Sequence, residues 1–168
     1  MPAVTVRRLG VDEVDLLRSV RLRALADAPD AFGERYADID GKDARYWTDL
    51  LRSLTDPGRN VMFVAEDDHE APAGMAFGIR DRAHADVGHV GGMWVDPGHR
   101  RRGAAVQLTE AVVEWSRAEA FRQVVLWVTE TNAPAIALYR RCGFAPSGAR
   151  RPLPSNPSLS VIEMSRAI

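Results

Sequence analysis

One change of rhythm in the middle of the chain limits what it can fold into. Residues 88–95 read as a strand, and Asp96-Pro97-Gly98-His99-Arg100-Arg101-Arg102-Gly103 is a turn crowded with glycine and arginine. After it Ala105, Leu108, Ala111, Val112 and Trp115 recur at helical spacing. A strand that enters a helix through such a turn presents unpaired backbone N–H groups at the positive end of the helix dipole. That geometry suits a phosphate or pyrophosphate. Gly103, Ala104 and Ala105 let an anion approach the backbone, and Arg100, Arg101 and Arg102 can add charge-assisted hydrogen bonds. Taken alone, the segment fits a basic helix-capping loop at the surface equally well. A nucleotide P-loop is disfavoured because its Gly-Lys-Ser/Thr ending is absent, and a dinucleotide fingerprint because there is no G-x-G-x-x-G.

On either side of this switch the pattern alternates between periods. Segment 3–9 reads as an opening strand, Val11–Ala28 as an amphipathic helix ended by Pro29, and 29–42 as mixed and turn-rich. A second helix is expected over Asp43–Leu54. Strands over Asn60–Ala65, Ala71–Arg80 and Gly88–Val95, joined by short polar turns, make an antiparallel meander. Beyond the central helix come a strand, Gln123–Thr129, and a short helix, Pro134–Arg141, stopped by Gly143. An extended stretch follows from Phe144, then a loop rich in Pro and Ser (152–158) and a last strand, Leu159–Ala167. No repeat or long linker divides the chain, so residues 1–168 are expected to form one domain.

Composition narrows the function classes. A hydrophobic content of 46% supplies a core, and 27% charged residues with a net charge of −1 argue against holding nucleic acid or an anionic membrane by bulk electrostatics. No apolar run is long enough to span a bilayer, and Arg7 and Arg8 are not followed by a signal-like apolar stretch. The single cysteine, Cys142, fits a reducing cytoplasm. Lys42 is the only lysine, as in chains from GC-rich genomes. The histidines at 69, 84 and 99 show no metal-ligand spacing, and no metal is expected.

A second motif lies downstream, Asn132-Ala133-Pro134-Ala135-Ile136-Ala137-Leu138-Tyr139 with Gly143-Phe144 after it. Asn132 can cap a helix and Pro134 suits its first turn. R-x-x-G-x-A (Arg100, Gly103, Ala105) after a strand, followed by N-x-x-A-x-x-x-Y (Asn132, Ala135, Tyr139), resembles the GNAT superfamily of acetyl-CoA-dependent N-acetyltransferases. The resemblance spans the chain, because the element order is also that family's. It implies an α/β (α+β) fold, a mixed and mostly antiparallel sheet of about seven strands flanked by about four helices, with a splayed strand pair forming the cofactor cleft.

By that resemblance, the backbone of Met93, Trp94 and Val95 aligns the pantetheine arm after a bulge at Gly91-Gly92. The amides from Arg101 to Ala105 cradle the pyrophosphate, with Arg100 beside them. Asn132 and Ala135 meet the pantetheine arm, and Tyr139 is the general acid for the departing thiolate. The family's common glutamate on the bulged strand falls on His89, a departure that leaves His89 or Glu130 as the base. Substrate selectivity is expected from the loop carrying Phe32, Glu34 and Tyr36 and from the Pro/Ser segment. The implied reaction is direct transfer of the acetyl group of acetyl-CoA to a primary amine, a small molecule or a peptide N-terminus, in a ternary complex. The implied setting is a bacterial cytoplasm, with a homodimer carried over from the family. A noncatalytic acyl-CoA-binding module of the same fold is the alternative.

Overall fold

The computed structural model describes residues 3–168. Seven strands form one sheet in the order β1-β2-β3-β4-β5-β7-β6. They are β1 (Thr5–Arg8), β2 (Asn60–Glu66), β3 (Pro72–Arg80), β4 (Val87–Val95), β5 (Gln123–Thr129), β6 (Ala145–Leu153) and β7 (Asn156–Ala167). All neighbours pair antiparallel except β4 and β5, which run parallel. The helices are α1 (Val14–Asp27), α2 (Tyr36–Ile39), α3 (Ala44–Leu54), α4 (Ala104–Ala118) and α5 (Ala133–Arg141).

The sheet has a buried cluster on each face. On one, Leu17, Val20, Ala24 and Leu25 of α1 and Trp47, Leu51 and Leu54 of α3 pack on Met62, Val64, Met75 and Phe77. On the other, Leu108, Val112 and Trp115 of α4 and Tyr139 of α5 pack with Val124, Leu126 and Met164. Strand alternation allots the side chains: Val124, Leu126 and Val128 turn one way, so Val125, Trp127 and Thr129 turn the other. Local chemistry sets the helix starts. The Asp43 carboxylate accepts the Tyr46 N–H at 2.9 Å to open α3, and Asn132 accepts from Ala135 N at 3.3 Å to open α5.

Two expectations change. The Pro/Ser segment is no open loop: β7 begins at Asn156, and only Pro154 and Ser155 turn between it and β6. The 29–42 stretch contains the single-turn α2 as well as a 3-10 turn at Pro29–Ala31. Trp127 lies half-buried on the opposite side of the sheet from α4 and α5, with the Arg151 guanidinium 4.0 Å from its ring centroid.

Candidate functional site

The sheet is split at its centre. β4 and β5 pair only over Val87–Val90 and Gln123–Leu126, so Gly91–Val95 and Trp127–Thr129 diverge. The split has a local cause on β4. Met75 faces Trp94 and Phe77 faces Gly91, so Ala76 alone opposes Gly92 and Met93, which is a bulge. Gly92 carries it with φ of +58°, and a Cβ there would meet the Phe77 ring at 2.6 Å. Asp96 N donates to Ala73 O at 2.8 Å, so by alternation the Trp94 backbone also faces β3 while Met93 and Val95 turn theirs toward the gap.

Above the gap lies the start of α4. Arg101 (φ +63°) and Gly103 (φ +82°) both take left-handed conformations, and no side chain caps the helix. Its first internal hydrogen bond runs from Gln107 N to Gly103 O, which leaves the N–H groups of Ala104, Ala105 and Val106 unpaired among the described residues. Nothing lies within 4 Å of the Cβ position of Gly103. These amides converge on a cleft of about 550 Å³ whose lining includes Met93, Trp94, Val95, Arg100, Arg101, Gly103, Ala104, Ala105, Asn132 and Ala135. Unpaired strand edge below and an amide nest at a helix dipole above match an elongated ligand with a phosphate-bearing end. The residues present therefore fit acetyl-CoA.

Two of the three consecutive arginines differ in role from the third. Arg100 is committed within the protein: Nε donates to Val95 O at 3.0 Å and Nη2 bonds Asp27. Asp27 also accepts from Trp94 Nε1 at 2.9 Å, tying the end of α1 to the bulged strand. Arg101 lines the cleft and Arg102 does not; neither makes an ion pair among the described residues. Sequence reasoning missed Arg141, which lines the cleft with Pro134 and Leu138. Those residues are spaced four and three apart on α5, so helical periodicity could have found it.

Tyr139 is 6% exposed, its ring edge-on to Phe144 with centroids 6.1 Å apart. It does not line the cleft, although Ala135, one turn earlier, does. The hydroxyl has no hydrogen-bond partner among the described residues, yet Trp47 Nε1 is the only unpartnered side-chain polar atom cut off from solvent. Burial pushes the Tyr139 pKa well above the ordinary tyrosine value, with the Cys142 thiol adding to the rise.

The two candidates for the base differ. Glu130 is held by Arg150 at 2.8 Å on an exposed turn, so its charge is already paired. His89 Nε2 lies 2.7 Å from Asp81 Oδ1, and Nδ1 has no partner among the described residues. Asp81 also accepts the backbone N–H groups of Ala83 and His84 at 2.9 and 2.8 Å. The His89 bond first, then these amides, hold its carboxyl well below the usual carboxylate range. The stretch around Asp81, which reads in sequence as a solvated turn, is thus an ordered bracket for His89. Its cross-strand partner, Ile79, belongs to the α1/α3 face, so His89 points to that face.

The expected substrate loop is rearranged. Phe32 is 4% exposed and belongs to the α1/α3 core, because its side chain packs under the Arg21 guanidinium. Glu34 pairs with Arg21 at 2.7 Å, so its charge is already engaged within the protein. Tyr36 is exposed on α2 and donates to Asp40 at 3.2 Å. The loop is pinned at both sides, by Thr129 Oγ1 on Asp30 O and by Ser155 Oγ on Phe32 O, each at 2.5 Å. Among the described residues no group of three or more His, Cys, Asp or Glu side chains could hold a metal, and no helix is long and apolar enough to cross a membrane.

Fold and cleft together define a class of α/β proteins in which a helix start crowns a split sheet. The chain belongs to the Acetyltransferase (GNAT) family, which it matches over residues 23–144. It is 32% identical to the mycothiol acetyltransferase of Acidothermus cellulolyticus over 141 residues, 82% of this chain and 42% of that protein. It thus spans less than half the length of the curated relatives it matches. A GNAT-family acetyltransferase from Streptococcus pneumoniae superposes with a TM-score of 0.82 at 18% identity, covering 98% of this chain and 99% of that one. A phosphinothricin acetyltransferase from Sinorhizobium meliloti, solved with AcCoA, gives 0.81 at 19% identity, covering 99% and 89%. The fold implied by the resemblance is the fold observed.

Proposed function

We propose that this chain is one N-acetyltransferase domain over residues 1–168 that moves the acetyl group of acetyl-CoA directly to a primary amine. The observation that carries the reading is the split between β4 and β5 lying directly under the uncapped start of α4. In it, the amides of Ala104, Ala105 and Val106 hold the pyrophosphate, with Arg101 and Arg141 adding charge at the mouth. The exposed edges of Met93–Val95 and the Asn132 turn hold the pantetheine arm.

Acetyl-CoA supplies a thioester carbonyl already activated for attack. The chain must do three things with it. A backbone N–H on the gap side of β4, at Val95, stabilises the charge that grows on the carbonyl oxygen. His89 takes the proton that an alkyl ammonium, with a pKa of about 10, must lose before its nitrogen can bond to carbon. With Asp81 against Nε2, that nitrogen keeps its hydrogen and Nδ1 offers the lone pair. As the C–S bond breaks, Tyr139 donates a hydrogen bond to the thiolate. Burial raises the Tyr139 pKa, so it donates without surrendering its proton, and the thiolate takes the second proton that the attacking nitrogen loses as the amide forms.

The test joins binding and turnover. Acetyl-CoA should raise the melting temperature, as any ligand selective for the folded state does, and an amine panel should release free thiol. Tyr139→Phe should lower kcat about 10- to 150-fold, the worth of a hydrogen bond to a charged group, with the acetyl-CoA melting shift retained. Binding without thiol release across the panel would favour the noncatalytic module, and absence of binding at millimolar acetyl-CoA would end both readings.

A further inference from the structure

On the α1/α3 side of the bulge lies a second cavity, about 680 Å³, lined among others by Arg21, Glu34, Phe77, Ile79, Asp81 and Arg82. It runs along β3 from the bulge. Phe77 stands opposite Gly91, Ile79 stands opposite His89, and Asp81 is the residue that holds His89. An acceptor lying here has its reactive end at the bulge and the remainder along the groove.

Arg21 is the unusual member of this wall. Its side chain is only 9% exposed, with the guanidinium 5.0 Å from the Phe32 centroid and 5.5 Å from the Phe77 centroid. Burying a cation beside apolar rings is costly unless its donors are used. Yet Nη2 alone is committed, to Glu34 Oε2 at 2.7 Å, and Nε and Nη1 have no partner among the described residues. Among the described residues neither nitrogen is cut off from solvent, and Arg21 lines the groove. Cations also outnumber carboxylates in the lining, and Arg82 makes no ion pair among the described residues.

We infer that Arg21 receives an anionic group of the acceptor, and that the acceptor is an amine carrying a carboxylate close to its nitrogen. The inference rests on the acetyltransferase reading and adds to it the substrate class. Arg21 binds the carboxylate through its unspent donors while Glu34 holds the guanidinium in place from the exposed side. The amine then lies toward His89 and the bulge.

The experiment compares the common free amino acids with their methyl esters and with the decarboxylated amines, reading thiol release from acetyl-CoA. Free acids should show a KM about tenfold or more below that of their esters. Arg21→Lys should raise KM for the acids about tenfold and leave that for esters within about twofold, since an ammonium cannot reproduce the guanidinium geometry. Because Arg21 is buried, Glu34→Gln provides a second variant at a half-exposed site. It should lower KM for the acids by relieving competition for Arg21, whereas a merely structural ion pair would make both variants worse for every amine. The same acids and esters, added without acetyl-CoA, are also read by melting temperature. A shift given by acids and lost in Arg21→Lys supports the assignment even in a protein that does not turn over. Equal KM for acids and esters overturns it and leaves the acetyltransferase reading standing. If no acid turns over or shifts the melt, the inference falls, and if acetyl-CoA also neither binds nor releases thiol, that reading falls with it.

Discussion

Two adjacent glycines on β4 should respond very unequally to the same substitution. At Gly92 a Cβ would sit 2.6, 2.6 and 2.9 Å from three Phe77 ring carbons, at a φ of +58°. At Gly91 the nearest neighbour is Ile79 Cδ1 at 3.9 Å, ordinary contact, and φ lies outside the left-handed region. Left-handed backbone costs an alanine about 1–2 kcal/mol, and forcing a methyl into a filled core costs about 1–3 kcal/mol. The Phe77 ring has little room to yield, being 8% exposed and covered by Arg21. Gly92→Ala should therefore lose about 2–5 kcal/mol, and for a chain of this length the melting temperature should drop by about 4–20 °C. Gly91→Ala should stay within about 0.5 kcal/mol of the parent. Urea and thermal unfolding of the two variants measure the difference, and the acetyl-CoA melting shift measures the cleft. A parent-like Gly92→Ala, or equal losses in both variants, would refute the view that this bulge splits the sheet.

Asp81 gives a prediction in pH. Its folded pKa is depressed, so its contribution to stability is complete above the unfolded carboxylate value of about 3.9 and is lost as pH falls below that toward the folded value. Asp81→Asn should be less stable than the parent at pH 7, with the two urea midpoints converging as the solution is acidified below about pH 4. A gap independent of pH would rule this out. Reversing charge at the cleft mouth with Arg141→Glu should weaken acetyl-CoA binding about fivefold or more. Parent affinity should also fall more steeply with added salt than the variant's, as titration at two ionic strengths would show.

Much of the fold was legible because its signals are local. The apolar runs at 60–65 and 123–129 appear as strands within a residue or two, and the helical stripe from Ala105 to Trp115 lies inside α4. The Asn132 cap and the Gly91-Gly92 bulge follow from residue types with narrow conformational uses. The Pro/Ser segment misled because those residues also suit an edge strand beside a tight hairpin, which only pairing with β7 reveals.

The candidate site divides along the same line. The sequence by itself determined the anion-accepting turn at Arg101–Ala105, since a glycine-rich entry to a helix exposes amides wherever the helix packs. Partner choice between distant residues was decided only by the tertiary structure. Asp27 at the end of α1 claims Arg100, Arg150 claims Glu130, and Asp81 claims His89. Phe32 goes into the core and Arg21, paired with Glu34, lines a groove. Charge pairing and burial depend on distances through space, and a spacing along the chain carries that information only where both residues share one helix or one strand.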